Sequence, residues 1–96
     1  MGRHQEAEGE FREEIRLFPE TLTAWESLIA LLAAQGKAAD LRATVDSLVR
    51  TVPGVEPYLS AIRVLAIVGD EPDARRVQAG GLRRFPDEPR LRQRDR

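Results

Sequence analysis

No cysteine occurs in the 96 residues. That excludes a disulfide framework and any thiolate metal site. The only histidine, His4, lies near the start, so Ser27, Ser47 and Ser60 have no imidazole close by in sequence to activate them. Aromatic residues make up 5% of the chain, and none is interleaved with the arginines of the tail after Pro86. A stacking platform for single-stranded nucleic acid is thereby excluded. The longest apolar run, Leu28 to Ala34, falls far short of the roughly 20 residues that cross a bilayer. Met-Gly-Arg-His-Gln-Glu has no apolar core and does not read as a secretion signal, which makes a cytoplasmic location the default expectation. Gly80-Gly81 does not follow a strand, so no phosphate-binding loop is expected there. No cofactor, metal or catalytic residue is expected anywhere in the chain.

Bulk charge is also scarce. The net charge is −1, which gives the molecule no general attraction for nucleic acid or anionic lipid. Its distribution is uneven. Glu6, Glu8, Glu10, Glu13, Glu14 and Glu20 load one end, and Arg83, Arg84, Arg90, Arg92, Arg94 and Arg96 the other. Both groups read as solvated faces, with Glu8 and Arg12 forming a favourable i, i+4 pair. Fourteen arginines against one lysine read as the codon usage of a GC-rich bacterial genome.

What the chain does have is a period. Gly2, Gly36 and Gly69 are 34 and 33 residues apart, and so are Phe18-Pro19, Val52-Pro53 and Phe85-Pro86; Trp25 and Tyr58 are separated by 33. Trp25, Leu28, Ile29 and Leu32 follow the i, i+3, i+4, i+7 spacing of one helical face, and Tyr58, Ala61, Ile62 and Leu65 repeat it. Each copy stops at a glycine suited to a left-handed helix terminus.

The chain therefore divides into about five helices. The first runs from about His4 to Phe18 and shows Ala7, Phe11 and Ile15. The second starts after Thr21 or Thr23, the latter in capping-box spacing with Glu26, and runs to Gln35. The third spans Ala38 to Thr51 with Leu41, Val45 and Leu48 inward. The fourth has Pro57 in its first turn and ends at Gly69. The fifth begins at Asp70 or Glu71 and carries Ala74, Val77, Leu82 and Phe85. It is weakened by Gly80-Gly81 at about 1 kcal/mol per glycine. No segment alternates with period two, so no sheet is expected. A helical domain over 1–88 and an Arg-rich, frayed tail over 89–96 complete the division.

These landmarks resemble the tetratricopeptide repeat family, whose unit is a helix pair of about 34 residues. Trp25, Leu28, Gly36 and Pro53 match it in one unit, and Tyr58, Ala61, Leu65, Gly69, Ala74 and Pro86 in the next. Ala7, Phe11 and Pro19 match a half unit before them. Gln78 and Gly81 depart from the pattern, and Leu41 in a usually small place implies wider spacing between helices. The resemblance covers about residues 2 to 88, or two and a half repeats. It implies an all-α solenoid of antiparallel helix pairs whose first helices line a concave wall. Carried over residue by residue, that wall holds Glu26, Ala30, Leu59, Arg63 and Ile67 as partner-binding residues. The cationic clamp with which some relatives hold carboxylates is represented only by Arg63.

The implied function is a non-catalytic protein–protein interaction or assembly module. It would take a protein or peptide on the wall, or a second copy through incompletely capped ends where Phe11, Ile15, Val77 and Leu82 are partly uncovered. The alternative is a carboxy-terminal appendage of a larger bacterial enzyme, because the chain is similar to the repeat tails of some sulfatase-like hydrolases.

Overall fold

Six helices follow one another in the computed structural model, which describes residues 2–92: α1 (Gly2–Leu17), α2 (Leu22–Ala34), α3 (Ala38–Thr51), α4 (Glu56–Ile67), α5 (Glu71–Arg84) and the single turn α6 (Pro89–Arg92). No strand occurs among the described residues. The count exceeds the five expected because the chain resumes a helix after Pro86-Asp87-Glu88.

Local chemistry sets the boundaries. Gly36 and Gly69 have φ of 71° and 87°, where a Cβ would be strained. At the first of them, Gly36 N–H donates to Ala33 O and Lys37 N–H to Leu32 O; at the second, Gly69 N–H donates to Ala66 O and Asp70 N–H to Leu65 O. Both helices thus close through the same 5→2 and 6→1 bonds, which satisfy carbonyls left over at a helix end. The repeated glycine marks a repeated backbone device. Asp70 caps α5 by accepting from Asp73 N–H at 3.3 Å, and Pro57 and Pro72 occupy first-turn positions. The capping box expected at Thr23–Glu26 does not form. Thr21 is the N-cap residue, makes no side-chain cap bond, and the Glu26 carboxylate is used elsewhere.

α2 and α4 are the hub. α2 packs on α1, α3 and α4; α4 packs on α2, α3 and α5; α6 rests on α5. The core accordingly draws most on these two helices. Leu28, Ile29, Leu32, Ala61 and Leu65 are at most 1% exposed, with Leu41, Val45, Leu48 and Ala74 closing from α3 and α5. α4 is buried beyond the single face read from its sequence: Pro57, Ser60 and Val64 are buried as well. A helix with neighbours on three sides has little solvent face left. Trp25 Nε1–H donates to Pro19 O at 2.8 Å, so the turn after α1 is tied to the start of α2.

Two expectations are corrected here. Val77 is buried, not partly uncovered, whereas Phe11, Ile15 and Leu82 are half-buried against the core. Packing also does not stop at residue 88. Leu91 is fully buried, and its carbonyl accepts from Gln78 Nε2–H. Leu91 stands 33 residues after Tyr58, which stands 33 after Trp25. The start of the supposed tail thus takes the third of three equivalent core positions, and apolar burial holds it despite its charged neighbours. Residues 93–96 of the expected tail, with Arg94 and Arg96, lie outside the described residues.

Candidate functional site

The stripe Leu59, Arg63, Ile67 runs along α4 at four-residue spacing, and Glu26 and Ala30 run along α2 in the same way. The two stripes meet at one point. Glu26 Oε2 accepts from Ser60 Oγ–H and from Arg63 Nη2–H. Ser60 is 5% exposed, so its hydroxyl is satisfied only through this bond. The Arg63 side chain is 58% exposed and the Glu26 side chain 23%, so the pair sits at the edge of solvent. An ion pair that exposed contributes roughly 0–1 kcal/mol and serves mainly to fix where the two helices lie.

The other expected residues are placed differently. Ala30 and Leu59 are half-buried and pack against the core. Ile67 is 73% exposed, the most exposed of the large apolar side chains described, and it does not join the core. Glu26 and Arg63 are thus brought together, Ala30 and Leu59 form a partly covered apolar floor, and Ile67 projects beyond them.

A second polar link continues the line. Arg90 Nη1–H of α6 donates to Glu56 Oε2 of α4 at 3.1 Å, and Arg90 Nε–H donates to Glu88 Oε2 at 3.0 Å. Glu26 and Ser60 are 34 residues apart, as are Glu56 and Arg90. Sequence reasoning gave neither contact. Ser60 reads as an ordinary helical serine until its offset from Glu26 is compared with the period. Glu26 and Glu56 are therefore engaged by α4 and α6, and the surface beside Glu26 is apolar with one partly exposed guanidinium, Arg63.

Three carboxyls at the surface have pKa values held below the ordinary 4.5. Glu88 is lowered first by the side-chain bond from Arg90 and next by the Arg90 backbone N–H. Glu8 is lowered first by Arg12, with Lys37 also contributing, and Glu13 by Arg16. A carboxyl with a lower pKa when folded stabilises above its unfolded value and loses that contribution as pH falls through the folded one. The thermal midpoint is expected to hold from neutral pH down to about 4.5 and to fall below it, with the fall flattened by salt because these pairs face solvent. Calorimetry across that range, at low and high salt, checks this.

Among the described residues, no three His, Cys, Asp or Glu side chains are arranged to hold a metal ion, and no helix is long and apolar enough to cross a membrane. His4 is exposed on α1. The arrangement offers chemistry for recognition: an apolar floor, a projecting isoleucine and a fixed charge pair. Compared with protein-family models, with curated proteins and with solved structures, the chain matches none, so its functional reading rests on this geometry.

Proposed function

We propose that the chain is a stack of antiparallel helix pairs of tetratricopeptide type and acts as a non-catalytic protein-interaction or assembly module. The observation that carries the reading is the pair of polar links, each 34 residues long, that join α2 to α4 and α4 to α6. Successive first helices held at one repeat spacing form a wall, and the wall's stripe is half-buried Leu59 with exposed Arg63 and Ile67, beside Glu26 and Ala30. Such a wall suits an apolar side chain on a peptide or helix of a partner protein. For assembly, a second surface supports the reading: Leu17 and Phe18, where α1 ends, are 53% and 56% exposed.

A test uses peptides selected from a display library against the whole chain. Ile67→Asp is expected to weaken wall-binding peptides at least about tenfold, since burying an isoleucine side chain is worth roughly 1.5–3 kcal/mol. Ile67 lies outside the core, so the thermal midpoint should be retained. Arg50→Glu, on the exposed face of α3, serves as the control. If selected peptides bind Ile67→Asp as well as they bind the parent, the wall is not the recognition surface.

A further inference from the structure

Two clefts open between the helices that flank the hub. One lies between α1 and α3, has a volume of about 330 Å³, and is lined by Ile15, Trp25, Thr44 and Ser47 among others. The other lies between α3 and α5, has a volume of about 320 Å³, and is lined by Val49, Tyr58, Val77 and Gly80 among others. The two linings correspond position by position. Ile15 and Val49 differ by 34, while Trp25 and Tyr58, Thr44 and Val77, and Ser47 and Gly80 each differ by 33. The fold has thus made the same groove twice. On α2, Trp25 and Leu28 point about 150° around the helix from Glu26 and Ala30, so these grooves do not face the wall considered above.

Their chemistry differs. The α1/α3 cleft carries one guanidinium, Arg12, already bound by Glu8 at 3.0 Å, and the carboxylate of Asp40. The α3/α5 cleft carries three, Arg76, Arg83 and Arg84, against the single carboxylate of Asp46. Arg76 is taken: it pairs with Asp46 at 3.6 Å and with Asp73 at 3.3 Å, and Arg42 shares Asp73 at 3.4 Å. Arg84 donates to Tyr58 Oη at 3.4 Å and its guanidinium lies 5.5 Å from the centre of the Phe85 ring, and it has no carboxylate partner among the described residues. Arg83 has no ion pair or hydrogen bond among the described residues. Beneath these two cations the floor is apolar, formed by Val45, Val49, Val77 and the Tyr58 ring.

Gly80 keeps the cleft open. A Cβ there would come no closer than 3.6 Å to Arg83 Nη2 and 4.0 Å to Tyr58 Cε1, so packing does not require glycine at this position. A helix-interior glycine that sterics do not demand costs stability and leaves space.

We propose that the α3/α5 cleft binds a carboxylate that carries an apolar body. The body lies on Val49, Val77 and Tyr58, and the carboxylate accepts from Arg83 and Arg84. A few polar groups above an apolar floor, in a volume at the low end of the roughly 300–1,000 Å³ of small-ligand sites, is the usual form of such a site. A guanidinium offers a carboxylate two parallel donors. The carboxylate can belong to a free short-chain acid or to the last residue of a peptide, and the two are separated by experiment.

The chain contains one tryptophan and one tyrosine, and each lies in a different cleft. Their ring resonances therefore report on the two grooves separately. The whole chain is titrated with 4-methylpentanoate, with acetyl-Ala-Ala-Leu as the free acid, and with the same peptide as its C-terminal amide. Saturable shifts at Tyr58 but not Trp25 are expected with at least one acid and not with the amide. Arg83→Gln should weaken binding at least tenfold, Gly80→Leu should block it by filling the cleft, and Ser47→Leu in the other cleft should change nothing. Response to the free acid alone assigns the site to a small molecule; response to the peptide acid alone assigns it to a carboxy-terminus. No saturable shift with either acid, equal binding of the amide, or undiminished affinity in Arg83→Gln overturns the proposal.

Discussion

Leu28→Asp is expected to leave the chain without a cooperative thermal transition. Leu28 is 1% exposed and lies at the centre of the face that α2 turns to its neighbours. Removing a leucine from such a site costs about 2–5 kcal/mol through lost burial and the space left behind. The aspartate adds the desolvation of a carboxylate at a site only 1% exposed, which costs several kcal/mol more even after relaxation. A domain of this length has roughly 5–15 kcal/mol of total stability, so the sum is comparable to the whole. Leu28→Ala separates the two contributions. It should fold, with a loss of about 3 kcal/mol and a midpoint lowered by roughly 12–24 °C. Circular dichroism melts of both variants check this, and a native-like transition in Leu28→Asp would refute the helix assignment.

The residues that set this core were legible because their spacing is a direct consequence of helix geometry. Trp25, Leu28, Ile29 and Leu32 share a face at any sequence position, and all four are buried. Glycines 36 and 69 were legible for a similar reason, since a left-handed terminus selects for the absence of a Cβ. Contacts between helices were less accessible. Glu26 has capping-box spacing from Thr23, yet α2 starts earlier with Thr21 as its N-cap residue, and the Glu26 carboxylate goes to Ser60 and Arg63. For Glu26, Ala30, Leu59, Arg63 and Ile67, helical spacing gives the two stripes but not the charge pair that joins them. Leu91 is the plainest case of a local rule overridden. Surrounded by Arg90 and Arg92 it reads as solvated, and only the 33-residue step from Tyr58 marks it as core.

The same region explains the departure of Gly81 from the repeat pattern, and it supports the second large effect. A Cβ at Gly81 would stand 3.0 Å from Leu91 Cδ1 and 3.1 Å and 3.2 Å from Tyr58 Cδ1 and Cγ. Those distances are too short for ordinary contact, so the glycine lets α6 and the Tyr58 ring close onto α5 together. Gly81→Leu must displace Leu91, Tyr58 or both. Overpacking costs about 1–3 kcal/mol, and expelling Leu91 forfeits a further 1.5–3 kcal/mol or so of burial. A loss of roughly 3–5 kcal/mol is therefore expected. The adjacent glycine should respond with the opposite sign. At Gly80 the added methyl meets only ordinary contacts, and Gly80→Ala should stabilise by about 1 kcal/mol through helix propensity alone. Denaturant unfolding of the two variants compares these signs within one helix. Adding Leu91→Ala to Gly81→Leu should recover part of the loss, because the new side chain then occupies space the old one vacates, and the double-mutant cycle measures that coupling. If Gly81→Leu is as stable as the parent, α6 does not pack where Leu91 places it, and the third equivalent core position is lost with it.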